Sequence, residues 1–336
     1  MEKYKKILLL SLKIGIGTCA AIYIAQSMHL EYSVSVGTVT LLTLMESKWG
    51  TIKLSISRLV TLLITLASAW IIFSHVNSIP IAYGLLLTLM VFLAEFFGLR
   101  ATVSVNALVA SHLITIQDFS AEAIVNECWL VMIGIVIAIF LNLFNLNITH
   151  KRAIIANMRY TEKKLKMIME ELATYLSGKE MSQNVWEDIC NLEKQIQHFV
   201  RDAEEYQENT FQSHSEYYID YFEMRYEQCQ ILNHLHYEMK KIRSMPKQAE
   251  LVAEFLLYLT DYVIEINAPD RQVERLKAIF ADMRNEELPG TMEEFESRAM
   301  LYHILMDIED FLFCKKRFVE ELDATQLKRY WKNGVD

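Results

Sequence analysis

Apolar residues in the first half of the chain fall into six runs that are separated by short polar segments. A helix that crosses a membrane needs about 20 mostly apolar residues. The runs therefore predict six membrane-spanning helices, of which the second and fifth are the shortest and the most polar. Their predicted bounds are residues 7–28, 33–48, 51–73, 79–97, 99–116 and 123–146.

The second half of the chain is rich in charged residues and has helical periodicity. Its first apolar positions recur at spacings of three, four or seven residues, which indicates an amphipathic helix that continues from the sixth span. These positions are Ile154, Met158, Leu165, Ile168, Met169, Leu172 and Leu176.

Glycines, prolines and capping residues divide the rest of this half into five more helices. Thr291 is predicted to cap the last of them, with Glu294 completing a capping box. No run alternates in the manner of a strand. The sequence thus predicts an all-α protein with a six-span membrane domain at residues 1–148 and a cytoplasmic helical bundle at residues 149–332. The five helices are expected at residues 184–208, 211–243, 247–266, 270–284 and 292–321.

Basic residues mark only one side of the membrane. The three loops on the other side, HLEY, SHVNSIP and QDFSAEA, contain no Lys or Arg. Because positively charged loops stay in the cytoplasm, both termini are predicted to be cytoplasmic in a multi-pass protein of the cell membrane. Lys13 and Arg58 are expected to snorkel towards that face, and Glu95 to form an interfacial pair with Arg100. The basic residues that set the orientation are Lys3, Lys5, Lys6, Lys48, Lys53, Arg100, Lys151 and Arg152.

Charge and motifs exclude several functional classes. Residues 1–150 carry eight Lys or Arg and seven Asp or Glu, whereas residues 151–336 carry 25 and 35. The acidic second half argues against nucleic acid as a partner, since nucleic acid requires a basic surface. The five cysteines lack metal-ligand spacing, so neither a metal nor another cofactor is predicted. No P-loop or hydrolase motif is present, so no catalytic residues are predicted and the protein is not expected to be an enzyme.

The second and fifth spans resemble each other in sequence. VSVGTVTLLTL at residues 34–44 recurs loosely as VSVNALVASHL at residues 103–113, which is 69 positions later. The same offset relates the first span to the fourth and the third to the sixth, so that three spans per half would form an inverted repeat. Short or interrupted segments at corresponding positions of such repeats indicate a transport site.

The small and polar residues of these two spans have two interpretations. Ser, Thr and Gly allow membrane helices to pack closely. Alternatively they line a substrate pathway, which Asn106 and His112 favour because each needs a partner or water at membrane depth. Histidine titrates near neutral pH, so His112 is the candidate for a proton-coupling group. The predicted pathway residues are Ser35, Gly37, Thr38, Thr40, Ser104, Asn106, Ser111 and His112, with Lys13 and Arg100 attracting anions at the cytoplasmic mouth.

Three stretches of the cytoplasmic half contain candidate site residues. SEYYIDYFEMRYEQ could form an aromatic-acid pocket with Arg225 as a carboxylate clamp, or its tyrosines and Arg225 could lie in the core as one helical stripe. His234 and His236 lie on different helix faces, which makes a poor metal site. CKKRF at residues 314–318 is expected to be a solvated basic turn.

The six runs, the block YSVSVGTVTLLTLMESKWGTIKLSISRLV and the acidic helical tail together resemble the aromatic acid exporter family. The likeness is to the short Gram-positive type with a C-terminal helical domain, and more distantly to fusaric-acid-resistance efflux proteins. It covers residues 1–145 for the membrane part and 151–330 for the C-terminal domain. The resemblance implies proton-driven export of aromatic carboxylates or related weak organic acids, and no binding residues are carried over from it.

Two other functions stay open at this point. One is a passive organic-anion channel, because the broader superfamily includes malate channels. The other is a membrane-anchored scaffold or sensor whose working part is the cytoplasmic bundle. A small organic acid and the lipid bilayer are the expected partners, and a homo-oligomer could form through the apolar stripe of residues 154–176.

Overall fold

The computed structural model describes residues 2–44, 47–116, 118–143, 148–179, 184–264 and 266–332. Within these ranges every regular element is a helix and no strand occurs, which confirms the all-α prediction. Contacts between the helices divide the chain into two compact units. The first is Met1–Leu146 with Glu208–Thr210, and the second is Asn147–Gln207 with Phe211–Asp336.

The first unit contains six apolar helices, one at each predicted span. α3 begins with an N-cap, since the Ser47 hydroxyl accepts a hydrogen bond from the Gly50 N–H at 3.1 Å. A 3₁₀ turn at Arg100–Thr102 leads into α5. The helices are α1 (Glu2–Ser27), α2 (Ser35–Leu44), α3 (Lys48–His75), α4 (Ile79–Phe96), α5 (Val103–Ile116) and α6 (Ala121–Leu143).

Length separates these helices into two groups. α1, α3, α4 and α6 each contain an apolar segment of at least 18 residues, long enough to cross a membrane. α2 has 10 residues and α5 has 14. At 1.5 Å per residue these are about 15 Å and 21 Å long, short of the ~30 Å hydrocarbon core. By length and composition the described chain thus has four candidate spans, and the six-span count and the inverted repeat stay predictions.

The outer surface of the first unit is apolar. Large side chains such as Leu63, Trp70, Phe92 and Phe96 are exposed on its helices. Such a surface is unfavourable in water and favourable in the hydrocarbon of a bilayer. Some hydroxyl-bearing side chains lie inside, as the buried Thr40 shows. The first unit therefore has the apolar exterior that is typical of a membrane protein.

The short helix α2 packs closely between α1 and α6. A Cβ atom on Gly37 would lie 2.7 Å from Thr18 Cγ2 of α1, and one on Gly134 of α6 would lie 2.7 Å from Val39 Cβ of α2. Real Cβ atoms do not approach so closely, so glycine is required at these two contacts. The close packing holds α2 in place although α2 is too short to cross a membrane by itself.

The second unit contains the remaining helices, and each predicted helix is present. α9 begins six residues later than predicted, after His214 takes a φ of 62°, and α10 ends before the predicted residue 266. The predicted continuation from the sixth span into α7 falls on residues 144–147, outside the described residues. The helices are α7 (Ile148–Leu176), α8 (Val185–Glu208), α9 (Tyr217–Lys240), α10 (Gln248–Thr260), α11 (Asp270–Arg284), α12 (Met292–Glu321) and α13 (Ala324–Gln326), followed by a π turn at Leu327–Lys332.

Thr291 caps α12 as predicted, with its hydroxyl accepting a hydrogen bond from the Glu294 N–H at 3.1 Å. The Glu294 side chain departs from the predicted capping box. Its carboxylate accepts a hydrogen bond from the Gly290 N–H at 2.9 Å rather than from the Thr291 N–H. This bond lowers the pKa of Glu294, helped by the hydrogen bond from Arg298. The predicted N-cap is therefore confirmed, whereas the bond from the Glu294 side chain is made to Gly290, one residue before the cap.

The tyrosine-rich stretch belongs to the core of the second unit. Tyr221 and Arg225 are both 0% exposed. Arg225 donates a hydrogen bond to Gln228 Oε1 at 2.8 Å and lies 3.6 Å from Glu162 Oε1. Its guanidinium also lies over the Tyr221 ring, 5.0 Å from the centroid. The core interpretation is confirmed, and Arg225 is not placed to clamp a ligand carboxylate.

The predicted basic turn at residues 314–318 is wrong. These residues lie within α12, and Cys314 and Lys315 are 6% and 4% exposed. The Lys315 ammonium donates to the carbonyls of Tyr262, at 3.2 Å, and Ile264. Burial also raises the pKa of the Cys314 thiol to about 11. The charged residues of this stretch predicted a solvated turn, but three of its five residues, Cys314, Lys315 and Phe318, are buried on α12.

Candidate functional site

A buried pair of ionisable side chains lies in the first unit. His112 of α5 places its Nδ1 2.9 Å from Oε2 of Glu127 on α6. The two residues are 6% and 0% exposed. Removing one partner of a buried ion pair destabilises a fold by about 3–5 kcal/mol, because the other charge is left buried without compensation. Each side chain therefore depends on the other, and the N–H of His112 donates to Glu127 whenever that carboxylate is ionised.

The opposite side of the His112 ring faces the start of α2. Its Nε2 lies 2.9 Å from Oγ of Ser35, the first residue of α2. The ring of Tyr32 stacks on the imidazole, with 4.3 Å between centroids and 7° between planes. Tyr32 has a φ of 53°, a left-handed conformation that is uncommon and strained for a residue other than glycine. The chain before α2 is thus held in a strained conformation that places Tyr32 against His112.

Asn126 completes this arrangement. Its amide donates to Glu127 Oε1 at 3.4 Å, and its Oδ1 accepts a hydrogen bond from the Glu31 N–H at 2.9 Å. Both carboxylate oxygens of Glu127 therefore have polar neighbours. We refer to Tyr32, Ser35, His112, Asn126 and Glu127 as the His112 cluster, which joins α2, α5 and α6.

A second polar network lies at the other end of α2. The Lys13 ammonium donates to Asn142 Oδ1 at 2.7 Å, and the Asn142 amide donates to Thr51 Oγ1 at 2.6 Å. Arg58 Nη1 donates to the hydroxyl of Thr43, near the end of α2. We refer to Lys13, Thr43, Thr51, Arg58 and Asn142 as the Asn142 cluster. It brings two basic side chains into a network of neutral polar groups.

The snorkelling prediction is wrong for Arg58, which is 1% exposed. Arg58 lies ten residues into α3, about 15 Å from its start. Its guanidinium is buried and donates to Thr43 instead of reaching solvent. Lys13 is half-buried and bonds to Asn142. The predicted pair of Glu95 with Arg100 is confirmed, with 2.6 Å between Oε2 and Nε.

A small cavity between α3, α4 and α5 contains a third polar feature. Asn106 lines it and is 3% exposed, and among the described residues its Oδ1 has no hydrogen-bond partner. The cavity has a volume of about 40 Å³, enough for a water molecule. The rest of its wall is mostly apolar, with Met90, Phe97 and Thr102 among its members. A buried amide oxygen without a partner costs roughly 1–3 kcal/mol, which a polar guest would recover.

The predicted pathway residues are distributed over several environments. Ser35 and His112 are brought together, and Asn106 lies at the small cavity. Gly37 and Thr40 are buried at helix contacts, and the Thr40 hydroxyl bonds to the Val36 carbonyl at 2.8 Å. Thr38 and Ser104 are exposed, and the half-buried Ser111 donates a hydrogen bond to the Leu108 carbonyl. Of the two basic residues predicted at the mouth, Lys13 bonds to Asn142, and the exposed Arg100 pairs with Glu95.

Sequence reasoning missed Glu127, which is the most buried acid among those of the first unit whose burial the structure describes. Glu127 is the seventh residue of α6, and its position in the sequence does not by itself show that the side chain turns inwards. One signal was present. Asn126 and Glu127 interrupt an apolar span at nearly the same distance from the loop as His112, which lies five positions from the end of α5. Two ionisable groups at matching depths in consecutive spans are candidates for a pair.

The connections Ser35–His112–Glu127 resemble those of a serine hydrolase triad, in which a hydroxyl, an imidazole and a carboxylate follow one another. A hydrolase also needs N–H groups that are free to bind an oxyanion. The N–H groups around Ser35 are engaged here. Ser35 N donates to Tyr32 O at 2.8 Å, and Gly37 N donates to Val34 O at 3.0 Å. The geometry is therefore better suited to holding and moving a proton than to acyl transfer.

Comparison with family models matches nearly the whole chain. Residues 6–145 match the model described as "Aromatic acid exporter family member 1". Residues 151–316 match the model described as "Putative aromatic acid exporter C-terminal domain".

The individual proteins that are similar to this chain include the following two. "Uncharacterized protein YqjA" of Bacillus subtilis (strain 168) is 27% identical over 319 residues, which cover 92% of this chain and 95% of the relative. A solved structure of a "putative membrane protein from Clostridium difficile 630" is 21% identical, with a TM-score of 0.44. The match covers 50% of this chain and 99% of that one.

Proposed function

The chain belongs to the aromatic acid exporter family, and on that premise we propose that it exports aromatic carboxylates or related weak organic acids, driven by the proton gradient. The observation that carries the proton-driven part of the proposal is the buried pair of His112 and Glu127. Histidine and carboxylate side chains at membrane depth form the proton relays of pumps and transporters.

The proposed membrane arrangement has six segments, residues 1–148, with both termini in the cytoplasm. Four segments are full spans, and α2 and α5 are short segments at corresponding positions of two inverted halves. Their lengths of 10 and 14 residues support this proposal, since short paired segments are typical of transport sites. Residues 149–332 form the cytoplasmic domain.

In this arrangement the His112 cluster lies near the outer ends of α5 and α6, and the Asn142 cluster lies near the cytoplasmic face. A proton that enters from outside would reach Glu127 before any other buried acid of the described membrane unit. Protonation of Glu127 would weaken its attraction to His112 and loosen the hold of His112 on Ser35. Release of the start of α2 would then open the site outwards.

The substrate would enter as an anion from the cytoplasm. Lys13 would attract it at the inner end of α2, and Arg100 would contribute at the cytoplasmic mouth. The polar residues Ser35, Gly37, Thr38, Thr40, Ser104, Asn106, Ser111 and His112 are proposed as the pathway between the two clusters.

Efflux of labelled aromatic acids tests the proposal. Cells with and without the protein are loaded with a panel of such acids, and efflux is followed with and without a proton uncoupler. We expect protein-dependent efflux that the uncoupler abolishes. Efflux that persists would identify a passive channel instead, and the lack of any efflux across a broad panel would favour a scaffold or sensor.

A further inference from the structure

The second unit contains a cavity that its helical core does not fill. The cavity has a volume of about 630 Å³, within the range of roughly 300–1,000 Å³ that small-molecule sites occupy. It lies where the end of α7, the start of α8 and the end of α9 meet the segment that follows α9. All of its lining belongs to this one unit.

Among the described lining residues, every charged side chain is basic. Lys179, Lys240 and Arg243 stand at the exposed rim, and no acid is among the lining residues that the structure describes. Arg243 lies 3.9 Å from Glu296, whereas no ion pair of Lys179 or Lys240 occurs among the described residues. The basic rim contrasts with the rest of this half of the chain, where 35 Asp or Glu outnumber 25 Lys or Arg. The rim thus attracts anions from a surface that otherwise repels them.

The inner lining is apolar apart from one polar side chain. Val185 and Ile242 are buried and Tyr175 is half-buried. His236 lines the same cavity and is 3% exposed, and among the described residues its buried Nε2 has no hydrogen-bond partner. Burial and the nearby charge of Lys240 lower the pKa of His236, so the ring is neutral at pH 7. A ligand that reached this ring could supply the missing partner.

We propose that this cavity binds a small organic carboxylate with an apolar body. The lysines of the rim would hold the carboxylate, and the side chains of Tyr175, Val185 and Ile242 would contact the body. The lysines act as point charges and do not demand a bidentate geometry, so the ligand is defined by one negative charge next to an apolar group. That the ligand is of the exported class rests on the proposed function, and the site would then report the cytoplasmic substrate concentration.

Calorimetric titration of the detergent-purified full chain with benzoate tests the site. Benzyl alcohol has the same ring without the charge, and inorganic phosphate has charge without the ring. Removal of two rim charges, Lys179→Gln with Lys240→Gln, is compared with Lys194→Gln, an exposed lysine of α8 outside the cavity. We expect benzoate affinity to fall about fivefold or more in the double variant and to be unchanged in the control, with benzyl alcohol and phosphate binding far more weakly than benzoate.

Several results would overturn the site: no benzoate binding to the wild-type chain, equal affinity in the double variant, or phosphate binding as tightly as benzoate. The outcome is separate from that of the proposed function. A chain that exports acids but binds benzoate equally in both variants would refute only the cytoplasmic site. A chain without efflux whose benzoate binding depends on Lys179 and Lys240 would refute only the transport proposal.

Discussion

His112 and Glu127 lie 2.9 Å apart in the interior of the first unit, although they belong to different helices and are separated by 15 positions in sequence. The pair also contacts the short helix α2, because Nε2 of His112 lies 2.9 Å from Oγ of Ser35. A change of protonation at the pair would therefore act directly on the start of α2. Under the proposed function, this relationship would couple the uptake of a proton to the position of a helix.

Replacement of the Ser35 hydroxyl separates a proton-holding role from a catalytic one. In Ser35→Ala the His112 ring loses one partly buried hydrogen bond, worth about 1 kcal/mol. We expect efflux to fall only about two- to fivefold. A loss of a thousandfold or more would be typical of a removed nucleophile and would contradict the transport interpretation of the cluster.

Asn106→Leu should separate stability from transport. The substitution removes the buried Oδ1 that has no partner among the described residues, so the purified variant should melt at an unchanged or higher temperature. Efflux should fall about tenfold if the amide contacts the substrate.

Thr38→Val is expected to lower efflux as well, from an exposed position on α2. The protein level of both variants is measured alongside transport. Unchanged efflux in both would remove α2 and α5 from the proposed pathway.

The helical architecture followed from local signals. The apolar runs, the breaks at Pro269 and Gly290 and the N-cap at Thr291 each act over a few residues, and the helices begin and end close to them. The start of the second predicted span was less accurate, because α2 begins at Ser35, two residues after the predicted residue 33. Periodicity indicates that a segment is helical, but it does not give the residues at which the helix begins and ends.

Only part of the His112 cluster could be predicted from the sequence. His112 is a local anomaly in an apolar span and was selected for that reason. Glu127 and Arg58 were missed or misplaced because inward orientation depends on neighbours from other helices, in these cases His112 and Thr43. The cavity lined by His236 had no sequence signal, since its basic rim comes from two separate stretches of the chain.

Gly134→Ala should destabilise the contact between α2 and α6. The new Cβ would lie 2.6 Å from Val39 Cγ1 and 2.7 Å from Val39 Cβ, so one of the two helices must shift. Overpacking of this kind costs roughly 1–3 kcal/mol.

Gly84→Ala on α4 is the matched control, because a Cβ there would meet no atom within 4 Å. Thermal unfolding in detergent should show a lower midpoint for Gly134→Ala and an unchanged or higher one for Gly84→Ala. Equal midpoints would contradict the close packing of α2.

The free energy of unfolding of the second unit should decrease as the pH falls through the ordinary pKa of histidine. The pKa of His236 is lowered in the fold, first by burial and then by the charge of Lys240, and Lys179 and Arg243 line the same cavity. The unfolded chain therefore binds a proton at a higher pH than the folded chain. Stability is fully present above the unfolded pKa and decreases as the pH falls towards the folded one.

His236→Gln removes this dependence, and His303→Gln changes an exposed histidine of α12 instead. Thermal unfolding of the purified chain at pH 7.5 and at pH 5.5 compares the two variants with the wild type. The His236 variant should lose less stability on acidification than the other two proteins. The same loss in all three would show that His236 does not contribute.

The most direct measurement of the central claim follows proton movement and acid efflux together in proteoliposomes, with the aromatic acid that gives the largest efflux in cells. Glu127→Gln keeps the shape of the buried side chain but cannot ionise, and Glu122→Gln alters an exposed acid in the first turn of the same helix. We expect the wild type and Glu122→Gln to move protons inwards as acid leaves. In Glu127→Gln this coupled flux of protons and acid should be at least tenfold lower. Coupled flux at the wild-type rate in Glu127→Gln would contradict the assignment of the His112–Glu127 pair as the coupling site.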